Sequence, residues 1–359
     1  ISNHSSLPNI VFPRSTIFIY MTRIFLIFFT IVAPVICLSQ NKNFVFDNFH
    51  VKDGLSHPTV NCIVQDSLGF LWIGTQNGLN RFDGYEFKNY KQNNRNAYGL
   101  TSNYIKDLLV DSRGILWVGT AGGGLLKYNS NKDKFESFMF DSTSVSSISS
   151  NDVYSIVESI DGDIWVGTYG GGLNLLDPFT GKFTRYTHSE KIKTSINDNN
   201  VRALFVETNG DLWVGTDGGG LDLLKYKTAR FTHHVHNPFI NSSISNNNIM
   251  CIKQDKEKRI WVGTYGGGIS VFDKQTNSFS NMSFSTKHDE LNHGIVWCML
   301  VVNDTTIWAG TRGGGINIIN LNTRKVQHIR ANNDDQNSLN SDFVLCVQKD
   351  KSGIIWIGN

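Results

Sequence analysis

The eight residues WVGTYGGG occur twice without change, at 165–172 and again at 261–268. Three glycines after a short apolar run are similar to a phosphate cradle, so the residues on either side decide what the stretch is. A phosphate-binding loop needs a Lys-Ser/Thr pair and a helix whose N-terminal amides face the anion. Here LNLLDP and ISVFDK follow, and both read as strands. The glycines therefore read as a tight strand connection in which backbones approach closely.

Working outward, a tryptophan followed by Ile, Val or Ala and then Gly recurs at Trp72, Trp117, Trp165, Trp213, Trp261, Trp308 and Trp356, at spacings of 45, 48, 48, 48, 47 and 48. Self-similarity at this period marks a propeller or an array. The third unit divides into DVYSIVES, DIWVGT, GLNLLDP and KFTRYTH, four strand-length pieces separated by Gly, Asp or Asn turns. Four antiparallel strands per repeat make one blade, so the expected fold is all-β, a seven-bladed β-propeller. A blade cannot bury both faces alone, and a Trp on its second strand fills the gap to its neighbour. The turns between first and second strands read DSLG, DSRG, SIDG and ETNG in the first four units. Asp and Gly there supply side-chain hydrogen bonds and a positive φ.

Ten residues before each repeat Trp lie Cys62, Asp107, Ser155, Ala203, Cys251, Cys298 and Cys346, so four of the five cysteines share one first-strand column. The column calls for small side chains where strands converge near the axis. A disulfide framework would not place cysteines at equivalent positions around a ring, so they read as packed thiols.

Before the first full unit, NFVFDNF at 43–49 matches the fourth-strand pattern, and the seventh unit reaches only WIGN, within its second strand. The expectation is six complete blades and an incomplete seventh assembled from both ends, with one strand absent because the chain is truncated. A charged start at Met21-Thr22-Arg23 and an apolar run at 24–38 read as a signal peptide over 21–39, cleaved after Ser39, with 1–20 as a non-native upstream extension and 40–359 as the propeller. An uncleaved anchor that also uses 17–20 is the alternative. Either reading puts the remainder outside the cytoplasm. With 359 residues, 40% hydrophobic content and a formal net charge of +2, the chain can bury a large core and shows no basic bias toward nucleic acid.

The stretch DGLSHPTVNCIVQDSLGFLWIGTQNGLNRFDGYEFKNY at 53–90, with LTSNYIKDLLVDSRGILWVGTAGGGLLKY after it, closely resembles the two-component regulator propeller repeat. The resemblance covers about 43 to 359. It implies the extracytoplasmic, periplasmic sensor of a hybrid two-component histidine kinase at the inner membrane, commonly responding to oligosaccharides. It also implies a second propeller or a β-sandwich region, and a homodimer, in the intact protein. This chain alone is expected to sense and not to catalyse, with no catalytic residues, no cofactor and no metal.

Columns that hold one residue type around the ring are scaffold, and columns that vary on one rim are free to bind. The residue after each repeat Thr is Gln76, Ala121, Tyr169, Asp217, Tyr265 and Arg312. Near the start of the inner strand a second column reads Asn61, Lys106, Tyr154, Arg202, Met250, Trp297 and Leu345. Aromatic faces stack on sugar rings, while Arg, Lys and Asp bond hydroxyls or pair with acidic groups. The candidate ligand-binding residues are Tyr169, Arg202, Asp217, Tyr265, Trp297 and Arg312. Rim residues of this kind also suit solvated surface or contact with a second propeller. The HHVH at 233–236 is not expected to bind metal, because His233 and His234 point to opposite strand faces. The Asp-x-x-Gly-x-x-Trp turns are similar to the Asp-box of sialidase-like glycosidases, but their spacing differs and no paired acid and base accompany them. A secreted polysaccharide-active enzyme and a protein-interaction scaffold remain the alternatives to a sensor.

Overall fold

Each WVGT-type segment is the second strand of a four-stranded antiparallel sheet. In five of the blades all five of its residues are buried, on both faces of the sheet. The computed structural model describes residues 44–93, 98–285, 289–335 and 337–359, and of its two units, 1–45 and 46–359, the second holds every strand. Six sheets of four strands follow one another in chain order, each pairing first to second, second to third and third to fourth. They occupy 60–90, 105–138, 153–186, 201–234, 249–282 and 296–329. The upstream extension and the signal peptide expected over 1–39 both fall outside the described residues.

The glycine two places after each repeat Trp explains how blades stack. A Cβ on Gly215 would stand 2.5 Å from Ile249 Cγ2, and one on Gly167 the same distance from Val201 Cγ1. Ile249 and Val201 open the inner strand of the next blade, so a β-branched side chain presses into a hole that only glycine leaves. The same contact recurs from Gly74 to Ile105, Gly119 to Val153, Gly263 to Val296 and Gly310 to Val344. Small residues in the inner column follow from the same crowding, because the thiols of Cys62, Cys251 and Cys298 also abut these glycines. The thiols are free, and Cys251 Sγ faces Val296 O of the next blade at 3.9 Å. Burial pushes the Cys251 and Cys346 thiols up to about 12, and those of Cys62 and Cys298 well above the usual range. They are packed groups with little thiolate character.

The glycine run is a turn. The buried Thr168 hydroxyl donates to Gly172 O at 2.8 Å, and the equivalent bond closes Thr120 on Gly124, Thr216 on Gly220, Thr264 on Gly268 and Thr311 on Gly315. Gly172 has φ 78°, and a Cβ there would run into Tyr186 O of the fourth strand. A strand starts at that same glycine, in agreement with the strand reading of LNLLDP.

The seventh position departs from expectation. Its described strands are two, Cys346–Lys349 and Ile355–Gly358, paired with each other. The fourth strand expected over 43–49 is not formed at 46–49, where no strand is assigned, and Asn43 lies outside the described residues. A fourth strand needs a third to pair with, and the described part of this blade supplies none. Phe46 N instead donates to Asn337 O at 3.0 Å, and the Phe49 ring rests on Phe82, Phe87 and Trp356. The ring still closes, since Val60 N donates to Asn359 O at 3.1 Å and a Cβ on Gly358 would meet Val60.

Gly215→Ala is expected to lower stability by about 1–3 kcal/mol, the cost of inserting a methyl group into a filled interface. Chemical denaturation checks it, and an unchanged midpoint would mean that the glycine hole does not fix blade stacking.

Candidate functional site

The residue following each repeat Thr has its backbone tied down and its side chain released. Tyr169 N donates to Asp152 O at 2.9 Å, Asp217 N to Asn200 O at 2.9 Å, Tyr265 N to Asn248 O at 2.9 Å and Arg312 N to Ile295 O at 3.1 Å. Every acceptor lies immediately before the inner strand of the same blade. These bonds hold the residue by its main chain, which leaves the side chain free to differ between blades.

The second varied column lines the central channel in full. Asn61, Lys106, Tyr154, Arg202, Met250, Trp297 and Leu345 all face a cavity of about 390 Å³, whose deeper wall holds the small column of Cys62, Asp107, Ser155, Ala203, Cys251, Cys298 and Cys346. Of the six candidates, Arg202 and Trp297 line this cavity, while Tyr169, Asp217, Tyr265 and Arg312 sit at the strand ends above it.

Side-chain contacts gather the candidates into two clusters. In the first, the Arg202 guanidinium Nε donates to Asp217 Oδ2 at 2.9 Å and lies 5.4 Å from the Tyr154 ring, which packs on Tyr169 at 5.5 Å between centroids. Lys106 joins it, with its ammonium 4.6 Å from Tyr154 and 3.9 Å from Tyr104. In the second, Arg312 Nη1 donates to Tyr265 Oη at 3.2 Å, and its guanidinium lies 5.7 Å from the Trp297 ring. Tyr169 and Tyr265 remain 42% and 40% exposed, enough to offer a ring face to a ligand. Lys106 and Tyr154 belong among the binding candidates, and their signal was the same varied column. Tyr104 was not legible, because it lies outside both columns.

Asp107 is the one carboxylate in the small column. It accepts from Ile156 N at 2.8 Å and Leu108 N at 2.9 Å, yet burial dominates and raises its carboxyl to about 6. Elsewhere, His233 Nδ1 meets Asp222 Oδ1 at 2.6 Å, whereas His234 packs among Trp213, Phe272 and Phe279. The two rings lie in separate surroundings, as strand alternation requires.

The sequence model of the two component regulator propeller matches residues 54–77, 99–122, 147–170, 195–218, 243–266 and 338–359. Histidine kinase P4 of Formosa agariphila is 54% identical over 55 residues, which is 15% of this chain and 4% of that protein. The extracellular domain of BT3049 from B. thetaiotaomicron, described as a hybrid two component system, superimposes with a TM-score of 0.76 at 28% identity, covering 88% of this chain and 40% of that one. The extracellular domain of BT4673 from the same organism shares the fold, with a TM-score of 0.70 at 23% identity over 88% of this chain and 38% of that one. The chain therefore spans well under half the length of these relatives. Among the described residues no helix is long and apolar enough to cross a membrane.

Because the Asp107 carboxyl titrates at about 6 when folded, against roughly 3.9 for a free aspartate, the group favours the folded state while protonated. That contribution is complete below about pH 4 and is lost as the pH rises through about 6. Asp107→Asn is expected to remove this dependence. Denaturation midpoints of both proteins between pH 4 and pH 7 check it, with the two curves diverging at the upper end.

Proposed function

We propose that this chain, which matches the two-component regulator propeller model in six segments, is the extracytoplasmic ligand-sensing region of a two-component signalling protein and takes an oligosaccharide at its channel mouth. The observation that carries the reading is the mouth itself. Four aromatic rings and two guanidinium groups, on and just past strands otherwise repeated blade after blade, form two clusters at a cavity of about 390 Å³. Sugar rings present apolar C–H faces for Tyr169, Tyr265 and Trp297, and hydroxyls for Arg202, Asp217 and Arg312.

Binding without turnover fits the state of the acidic group at the rim. The Asp217 carboxylate is already engaged by Arg202, an arrangement that orients hydroxyls for binding. The similarity to extracellular domains of two-component systems supports the same reading, with the signal passing to parts of a longer protein. Export by the segment at 21–39, a periplasmic location and assembly as a homodimer with further propeller or β-sandwich regions belong to this proposal.

Replacing Tyr265 and Arg312 together by Ala should weaken oligosaccharide affinity about 10- to 100-fold, the loss of one stacking face and one charged hydrogen bond. Calorimetric titration against a panel of plant and algal oligosaccharides reads the effect. Unchanged affinity would remove the mouth from the binding site. Release of new reducing ends during the titration would make the chain an enzyme and overturn the sensor reading.

A further inference from the structure

At the strand ends away from the channel mouth, five of the repeat tryptophans, Trp72, Trp117, Trp213, Trp261 and Trp356, are sealed by a carboxylate from the turn between first and second strands. Asp66 Oδ1 accepts from Leu68 N and Phe70 N, and its Oδ2 accepts from Trp72 Nε1 at 2.8 Å. Asp111 does the same for Trp117 at 3.0 Å, Asp255 for Trp261 at 2.8 Å and Asp350 for Trp356 at 2.8 Å, while Glu207 Oε1 serves Trp213 at 2.7 Å.

Blade three has Ser159 at this position. Its Oγ stands where Oδ1 stands elsewhere, accepting from Asp161 N at 3.3 Å and Asp163 N at 3.1 Å. Nothing replaces Oδ2, and among the described residues no hydrogen bond reaches Trp165 Nε1. No fully buried polar side-chain atom is left unpaired among the described residues, so this indole N–H opens to the space beside it, although Trp165 itself is only 8% exposed. That space is a cavity of about 170 Å³ between blades three and four, with Trp165, Leu175, Tyr186 and Leu212 among its walls. Tyr226 forms a fixed side, its ring against Gly210 and its hydroxyl donating to the Asp161 carboxylate at 2.9 Å.

We propose that this cavity is a second binding site, which takes a small neutral alcohol with an apolar ring, its hydroxyl oxygen filling the position that Asp Oδ2 fills in the sealed blades. The indole N–H demands an acceptor, which excludes an ammonium tip. Asp161 and Asp163 line the same cavity with Asp177 near, and burial together with those neighbours raises the Asp163 carboxyl, so a further carboxylate is disfavoured. The two lysines at the rim are already engaged, Lys225 with Asp211 at 2.7 Å and Lys227 over the Tyr226 ring at 4.8 Å. A hydroxyl both accepts from Trp165 Nε1 and can donate to the Asp163 carboxylate, whose side chain makes no hydrogen bond or ion pair among the described residues. The apolar walls accommodate the ring.

Three probes that share one ring and differ only at the tip test this: benzyl alcohol, benzoate and benzylamine. Each is titrated into the ¹⁵N-labelled chain while the Trp165 indole N–H resonance, assigned with Trp165→Phe, is followed. Benzyl alcohol should shift that resonance saturably, and benzoate and benzylamine should not. Ser159→Asp restores the missing carboxylate oxygen and should weaken benzyl alcohol at least about tenfold while raising the melting temperature. Ser159→Asn, which adds the oxygen without charge, should weaken it likewise. The Tyr265→Ala/Arg312→Ala protein should bind benzyl alcohol as the parent does, which separates this site from the channel mouth. No saturable shift with benzyl alcohol would leave water as the occupant and overturn the proposal. Undiminished binding in both Ser159 variants, or equal binding of the charged probes, would overturn it as well.

Discussion

The contact between a glycine on one blade and a β-branched residue on the next sets the geometry of the whole ring. Ile249 against Gly215 and Val201 against Gly167 bring inner strands so close that a methyl group would not fit between them. Because that contact recurs at successive interfaces, the blades turn by similar steps, and the channel they enclose inherits its width. The same closeness restricts the inner column to small side chains and forces four cysteines into packed positions that burial holds as thiols.

Uniform stacking below permits variety above. The varied rim residues are anchored by their own amide groups, so substituting one side chain leaves the turn intact. Tyr, Asp and Arg at one column can therefore differ from blade to blade without affecting the fold. The clusters of Arg202 with Asp217, and of Arg312 with Tyr265 and Trp297, show how side chains from different columns and neighbouring blades converge over one cavity. A closed ring of repeats provides such convergence because sequence neighbours about 48 residues apart become spatial neighbours.

Departures from the repeat matter most where a structural role is left unfilled. Ser159 keeps the turn that Asp keeps elsewhere, yet it cannot reach the indole of Trp165, and a cavity opens beside the uncapped ring. The change at Ser159 is visible as SIDG among DSLG and DSRG, but the consequence is not. Only the position of Tyr226, pinned by Asp161 across the interface, turns a missing oxygen into an enclosed space.

The sequence by itself determined the blade, the number of repeats and the columns from which a binding surface would be drawn, because a period of about 48 residues and an alternating strand pattern are local signals. It also determined that WVGTYGGG is a strand and its turn, with Tyr169 in the column that varies from blade to blade. Tertiary structure decided what those columns do together. Tyr104 reaches Lys106, Tyr154 bridges Tyr169 and Arg202, and Phe49 docks on Trp356 in place of pairing as a strand, all through contacts set by closure of the ring. Periodicity fixes which residues are equivalent, whereas contact depends on how far each side chain reaches across a gap between blades, a distance that no single repeat contains.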